Sequence, residues 1–213
     1  MDLKAQKERL INELIDLGYL KTEAVINAFR KVPREEFVLP GHRDYAYAND
    51  ALPIMEGQTI SQPLTVAAMT EALDVRLGQK VLEVGTGSGY QAAILSVLVG
   101  RKGSVITTER IKALHELAKR TLGMCGFVNI VAVNCDGSQG YEKIAPYDRI
   151  IVTASASKMP QPLAKQLKVG GKLVIPIKNE LFLIEKVSAK EFTKTFLGYY
   201  VFVPLIGKYG NQK

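Results

Sequence analysis

Three alternating glycines, Gly85, Gly87 and Gly89, follow directly on the apolar run Val81-Leu82-Glu83-Val84. Glycine has no Cβ, so a chain with glycine at every second position can turn tightly and let a ligand come against the main chain. A strand that runs into such a turn and then into a helical pattern is a nucleotide-type binding loop. A loop gripping a dinucleotide pyrophosphate reads G-x-G-x-x-G, which needs glycine at position 90, where this chain has Tyr90. The loop here is G-x-G-x-G, with Thr86 and Ser88 between the glycines. Glu83, at the strand end, would repel a pyrophosphate but attract the ammonium of a methionine-like group. Both features favour S-adenosylmethionine over a nicotinamide dinucleotide as cofactor. A plain structural turn is the competing reading of the loop taken alone.

Two later strand ends carry groups that an adenosyl ligand needs. Ser104 to Thr108 reads as a strand ending at Glu109, 20 positions past Gly89. In a doubly wound fold an acid at this spacing accepts from the ribose hydroxyls, although Glu109 could also serve the first turn of a helix starting near Arg110. A third strand, Asn129 to Val133, leads through Asn134 and Cys135 to Asp136-Gly137. Asp136 is expected to accept from the adenine amino group and the Gly137 N–H to face the ring; the alternative is an ordinary Asp-Gly turn. Three sites at three successive strand ends, in this order, support the cofactor reading together.

The elements that must position these residues follow from periodicity. Leu3, Leu10, Ile11, Leu14 and Ile15 fall at helical spacing over 2–17, with Gly18 as a stop, and a second helix starts at Thr22 around Val25, Ile26 and Phe29. From Pro40 to Pro63 turn residues abound without a clear period, as in an ordered segment lying over a core. A helix over Pro63–Leu73 precedes strand 80–84, helix 89–99, strand 104–108, helix 110–123, strand 128–133, strand 147–153, helix 160–168 and strand 171–177. This alternation predicts an α/β, doubly wound Rossmann-like fold with a mostly parallel sheet. The apolar runs Leu181–Val187 and Leu197–Ile206 have no helix between them and should form an antiparallel edge pair. The organisation expected is one domain over 1–213. Residues 1–62 form a helical and irregular substrate-side extension, and residues 63–213 the cofactor-binding core.

Composition agrees with one ordinary intracellular domain, expected in the cytoplasm: 213 residues, 47% hydrophobic and 23% charged. No apolar run of about 18 residues and no charged-then-apolar leader is seen, so neither a membrane partner nor secretion is expected. Cys125 and Cys135 have no C-x-x-C spacing, and only two histidines occur, His42 and His115, so no metal is expected. The net charge of +7 raises the prospect of an anionic partner. The basic residues are interspersed with acids, however, as in Lys-Ala-Gln-Lys-Glu-Arg at 4–9, and no nucleic-acid partner is expected.

The acceptor is read from what surrounds the loop. An amino-methylating enzyme of nucleic acids would carry an Asp/Asn-Pro-Pro-aromatic motif after the fourth strand, where this chain has Thr153-Ala154-Ser155-Ala156-Ser157. A C5-methylating mechanism needs a nucleophilic cysteine, and the contexts of Cys125 and Cys135 fit neither type. An acceptor needing little activation is left.

The segment Gly57-Gln58-Thr59-Ile60-Ser61-Gln62-Pro63 resembles the signature of the protein-L-isoaspartate O-methyltransferase family, within the class I S-adenosylmethionine-dependent methyltransferases. The similarity continues through Val32-Pro33-Arg34-Glu35-Glu36-Phe37-Val38, Leu52-Pro53-Ile54, Val81 to Ala93, Thr108-Glu109-Arg110, Asp136-Gly137, Tyr147 to Ala154 and Phe202-Val203-Pro204-Leu205. The resemblance implies methyl transfer from S-adenosylmethionine to the free α-carboxylate of L-isoaspartyl residues in damaged proteins and peptides, which starts their repair. It places Gln58, Thr59, Ile60, Ser61 and Arg110 beside the loop residues at the cofactor, and Ser61, Val203, Pro204 and Leu205 at the substrate. Departures from the family pattern fall at Lys178-Asn179, at Ser155 and Ser157, and at Ile206, where some members carry a hydroxyl. A nucleic-acid methyltransferase and a non-catalytic adenosyl-binding module are the competing functions.

Ser61 is the expected catalytic residue. Its hydroxyl can donate to one carboxylate oxygen and leave the other free to attack. From spacing alone it could instead N-cap the helix starting at Pro63. The strand containing Val203 to Ile206 is expected to pair with the peptide main chain.

Overall fold

The computed structural model describes residues 2–211, so positions 1, 212 and 213 of the expected domain lie outside it. Two helices come first, α1 (Leu3–Asp16) and α2 (Glu23–Lys31), followed by a two-residue ladder of β1 (Leu52–Pro53) with β2 (Thr59–Ile60) and by α3 (Pro63–Leu73). The alternating part comprises β3 (Lys80–Val84), α4 (Tyr90–Val99), β4 (Ser104–Glu109), α5 (Lys112–Met124), β5 (Ile130–Asn134), β6 (Tyr147–Val152), α6 (Gln161–Gln166) and β7 (Leu167–Ile177). Two antiparallel strands, β8 (Glu180–Lys186) and β9 (Phe192–Tyr199), complete the sheet.

The sheet order is β5-β4-β3-β6-β7-β8-β9, with the first five parallel. After β5 the chain crosses back to the far side of β3, so the β3/β6 boundary is the point where strand order reverses. Ligands of doubly wound sheets bind beyond the carboxyl ends of the strands at such a point. Central strands buried on both faces should read as unbroken apolar runs. In β3 the residues Val81, Leu82 and Val84 obey this, and Glu83, equally buried, breaks it.

Alternation along each strand divides the core. Val81 and Ile151 point into a cluster shared with α1, α2, α3 and α4, while Leu82, Val84, Ile150 and Val152 point into the opposite one with Leu163 and Leu173. The N-terminal helices join the first cluster through Leu10, Ile11, Leu14, Val25, Ile26 and Phe29. Thr22 caps α2 by accepting from the Val25 N–H, and the Glu71 carboxylate of α3 accepts from the Lys21 and Thr22 N–H groups at 2.8 and 2.9 Å. The turn entering α2 is thereby tied to the core.

The C-terminal end differs from the expected element boundaries. The last strand is Phe192–Tyr199 rather than Leu197–Ile206. Phe192-Thr193-Lys194-Thr195-Phe196 supplies the β-forming alternation, and a short turn after β8 starts pairing at Lys186↔Phe192. Residues 200–206 leave the sheet and cross to the rim as an extended strap, bridged to Ser155 at Pro204, whose ring nitrogen has no hydrogen to give a ladder. Helix α6 is also shorter than expected, because β7 begins at Leu167 and pairs there with Tyr147 before a register shift.

Candidate active site

One cavity opens beyond the carboxyl ends of β3, β4 and β6. It is lined by the loop residues Gly85, Thr86, Gly87 and Ser88, by Glu83, Glu109, Arg110 and Gly137, by Gln58, Thr59, Ile60 and Ser61, and by Val203, Pro204, Leu205 and Ile206. Segments as far apart in sequence as Gln58 and Ile206 therefore face one space. Tyr90, Met69, Val66 and Thr153 are also part of the wall.

The glycine loop is held by backbone bonds to the next strand. The Gly85 and Thr86 N–H groups both donate to the Thr108 carbonyl, at 2.9 and 3.1 Å. Gly85 has a φ of +98°, which side-chain-bearing residues rarely adopt, and a Cβ there would run into the Thr153 hydroxyl. That hydroxyl donates into the turn, with the Val84 and Gly85 carbonyls at 3.1 and 2.7 Å. Gly89 has a different task and lies outside the cavity wall. It is the residue before α4, and Leu122 and Ala118 of α5 come within 3.3–3.4 Å of where its Cβ would be.

Glu109 is buried and accepts from the Gly87 N–H at 3.0 Å and from the Ile111 N–H at 2.9 Å. One bond fixes the glycine loop and the other the turn before α5, so part of the helix-entry role is real. A carboxylate offers about four acceptor positions, which leaves capacity for a ribose diol.

Glu83 is fully buried in the same cavity, and neither carboxylate oxygen has a partner in hydrogen-bond geometry. Burial pushes its pKa up to about 8; the Thr107 hydroxyl works against this and the Glu109 charge adds to it. Thr107 is itself engaged with the Thr86 hydroxyl at 2.7 Å. A buried carboxyl without a donor is costly, and the cationic end of a ligand would satisfy it. With the glycine turn and the spare acceptors of Glu109, this orphaned acid shows that the residues present fit S-adenosylmethionine.

Asp136 does not line the cavity. One oxygen accepts from the Ser138 N–H and hydroxyl at 3.0 and 2.7 Å, the other from the Lys208 N–H at 2.8 Å and the Gln139 side chain at 3.3 Å. These bonds hold its pKa below the usual carboxylate range despite the opposing effect of partial burial. The expected adenine acceptor is thus already saturated, and it ties the strap to the loop carrying Gly137, which does reach the cavity.

Ser61 is not the cap of α3. The residue before the helix is Gln62, without a side-chain capping bond, and the Leu64 N–H donates instead to the Asn49 side-chain oxygen at 3.1 Å. Among the described residues the Ser61 hydroxyl has no hydrogen-bond partner, while its backbone carbonyl accepts from the Arg34 guanidinium at 2.9 Å. Asn49 and Arg34, both distant in sequence, had no periodic or spacing signal marking them.

The strap keeps one edge occupied. The Ser155 N–H donates to the Val203 carbonyl and the Leu205 N–H to the Ser155 carbonyl, both at 2.8 Å. A second groove adjoins the cavity, sharing Thr59, Ser61, Thr153 and Val203 with it and continuing along Tyr199 to Phe202 past Tyr19. No lysine or arginine among the described residues lines that groove. No group of three or more potential metal ligands occurs among the described residues, and none of their helices is long and apolar enough to cross a membrane.

The sequence matches the family Protein-L-isoaspartate(D-aspartate) O-methyltransferase (PCMT) over residues 5–210. It is 48% identical over 210 residues to the protein-L-isoaspartate O-methyltransferase of Methanothermobacter thermautotrophicus, covering 96% of this chain and 97% of the relative. The enzyme of the same name from Methanopyrus kandleri is 50% identical over 212 residues, with 97% and 94% covered. A solved protein-L-isoaspartate O-methyltransferase superposes with a TM-score of 0.87 at 32% identity over 96% of this chain and 67% of that one. A Plasmodium falciparum beta-aspartate methyltransferase structure in complex with S-adenosyl-L-homocysteine gives 0.84 at 25% identity, over 93% and 97%. With the family matched across nearly its whole length, this chain belongs to the protein-L-isoaspartate (D-aspartate) O-methyltransferases.

Proposed function

We propose that this protein esterifies the α-carboxylate of L-isoaspartyl residues in proteins and peptides, with S-adenosylmethionine as methyl donor. The observation carrying the site assignment is the free hydroxyl of Ser61 at the junction of the cofactor cavity and the adjoining groove. When bound, S-adenosylmethionine supplies an electrophilic methyl group on sulfonium. Glu109 would hold the ribose hydroxyls, Glu83 the ammonium end, and the Gly85–Ser88 turn the body of the ligand, with Gly137 at the adenine side.

An isoaspartyl α-carboxyl has a pKa of about 3.5 and is already an anion at neutral pH. No general base is required, and the chain's task is orientation. Ser61 donates to one carboxylate oxygen and leaves the other free. Fixing reactants in line can lower a barrier by roughly 7–11 kcal/mol, and the strap keeps water from the wall that it covers. The neighbouring main-chain amide nitrogen then attacks the ester carbonyl and expels methanol, closing a succinimide without further help, and hydrolysis of that ring returns some normal aspartate.

The groove along Tyr199 to Val203 supports a peptide acceptor. A nucleic acid would need cations for its phosphates, and none lines the groove among the described residues. The strap pairs with Ser155 along one edge, so the peptide main chain would lie on the other. Incubation with labelled S-adenosylmethionine tests this reading: base-labile methyl ester should form on isoaspartyl peptide and none on RNA or DNA. Transfer to nucleic acid with none to peptide would replace it.

A further inference from the structure

We infer that Arg34 is a positioning residue for methyl transfer, acting through the main chain of Ser61. Its side chain is completely buried. Nε donates to the Ala46 carbonyl at 2.8 Å, and Nη2 to the Ser61 carbonyl at 2.9 Å and the Asp50 carbonyl at 3.5 Å. The guanidinium lies over the Tyr90 ring, 4.9 Å from its centroid. Tyr90 is the first residue of α4 and lines the cofactor cavity. One side chain therefore joins both ends of the irregular segment 46–61 to the helix that begins at the glycine loop.

Burying a guanidinium is costly unless its donors are met. Here Nη1 has no hydrogen-bond partner, and burial lowers the Arg34 pKa to about 10 even though Tyr90 and Tyr47 favour the charge. A cation serving stability alone is poorly spent in such a place. Its planar fork does something an apolar residue cannot: it joins three carbonyls of an otherwise irregular segment, and the last belongs to Ser61, which lines the cavity. Lysine would keep the charge and lose the fork. Segment 46–61 would then have a different resting position at Ser61, while the glycine loop, held by its own backbone bonds to Thr108, would not move.

The inference rests on Ser61 holding the acceptor carboxylate, and its test separates the two. Arg34→Lys, Ser61→Ala and the double variant are compared for kcat and KM on isoaspartyl peptide and for cofactor affinity by calorimetry. Arg34→Lys should lower kcat by up to about tenfold, no more than losing the Ser61 donor itself costs, with cofactor affinity within about threefold. In the Ser61→Ala background the same change should cost less than about threefold, because there is no hydroxyl left to place. An equal penalty in both backgrounds would overturn the role of Arg34 while leaving Ser61 in place. A Ser61→Ala variant with undiminished kcat would instead remove the reading beneath it. Should Arg34→Lys not fold, Arg34→Gln carries the same cycle, its amide being able to reach one of the three carbonyls. A purely structural residue would lower the melting temperature and leave the cycle additive.

Discussion

Glu109 and Ser61 line the same cavity and are held there in different ways. Glu109 ends a central strand, and the groups it touches, the Gly87 and Ile111 N–H groups, belong to the neighbouring strand end and to its own turn. Ser61 sits in a segment with only a two-residue ladder, steadied by Arg34 from the N-terminal extension and by Asn49, which caps the next helix. The cofactor wall is thus set by the sheet and the acceptor rim by long-range side chains. Changes at the first should act on cofactor binding or on folding, and changes at the second on turnover.

The largest expected effect is the pH dependence created by Glu83. Its pKa in the fold is about 8, against an ordinary 4.5, so the folded protein keeps a proton that the unfolded chain has released. The stability contributed by the protonated form is fully present below about pH 4.5 and is lost as pH rises through 8, by an amount on the order of a few kcal/mol. Urea unfolding without cofactor at pH 5 and pH 8.5 should show the wild type losing ground to Glu83→Gln. Parallel behaviour of the two proteins would mean that the acid is not isolated in the way its orphaned oxygens indicate.

Next comes Glu109→Ala, which should weaken S-adenosylmethionine binding by about 1.5–3 kcal/mol, the worth of a hydrogen bond involving a charged group. At saturating cofactor the KM for isoaspartyl peptide should hardly change. A folded variant with unaltered calorimetric affinity would take the ribose away from Glu109.

Ser61→Ala is expected to be milder and to fall on the other side of the comparison. Losing one donor to a carboxylate should lower kcat about tenfold, with cofactor affinity and melting temperature nearly intact, since the hydroxyl caps nothing. The smallest effect belongs to Asn49→Ala. Removing the cap at the Leu64 N–H should cost about 1 kcal/mol of stability, measurable by chemical denaturation. If Ser61→Ala were the less stable of the two, the capping assignment would have to be exchanged.

The same contrast governs what was legible in the sequence. Strand-end acids and alternating glycines are local patterns with a fixed spacing, so the β3 loop and the place of Glu109 at the end of β4 could be read directly, while its bond to the Gly87 N–H could not. Asp136 carried the same kind of signal; its bonds to Ser138 and Gln139 are local, as the alternative of an Asp-Gly turn implies, and only Lys208, which returns to it from 72 positions away, was out of reach of the sequence. Gly89 looked like a loop residue because spacing cannot separate a ligand-facing glycine from one that admits a neighbouring helix. The strand expected at 197–206 failed for a related reason. Val203 to Ile206 wall the cavity and Val201 and Phe202 the adjoining groove, whereas the pairing strand begins at Phe192 behind charged residues that weaken its pattern. Asn49 had no local signature, and Arg34, though inside the family-like run Val32 to Val38, had nothing to mark its role, since each acts on carbonyls or N–H groups far along the chain.

The acceptor rim should recognise where the carboxylate leaves the main chain. In isoaspartate the backbone runs through the side-chain carbonyl and the free carboxylate is one carbon from the chiral centre; in aspartate it hangs on an extra methylene. With the main chain fixed along the strap and Ser61 fixing the carboxylate, the two cannot occupy one place, and a displacement of about 1 Å costs on the order of a hundredfold in rate. The decisive measurement is kcat/KM for methyl transfer to twin peptides of one sequence, one with isoaspartate and one with aspartate. The isoaspartyl peptide should be favoured by about a hundredfold or more in the wild type. Comparable methylation of both twins would contradict the account, even if cofactor binding behaved as described.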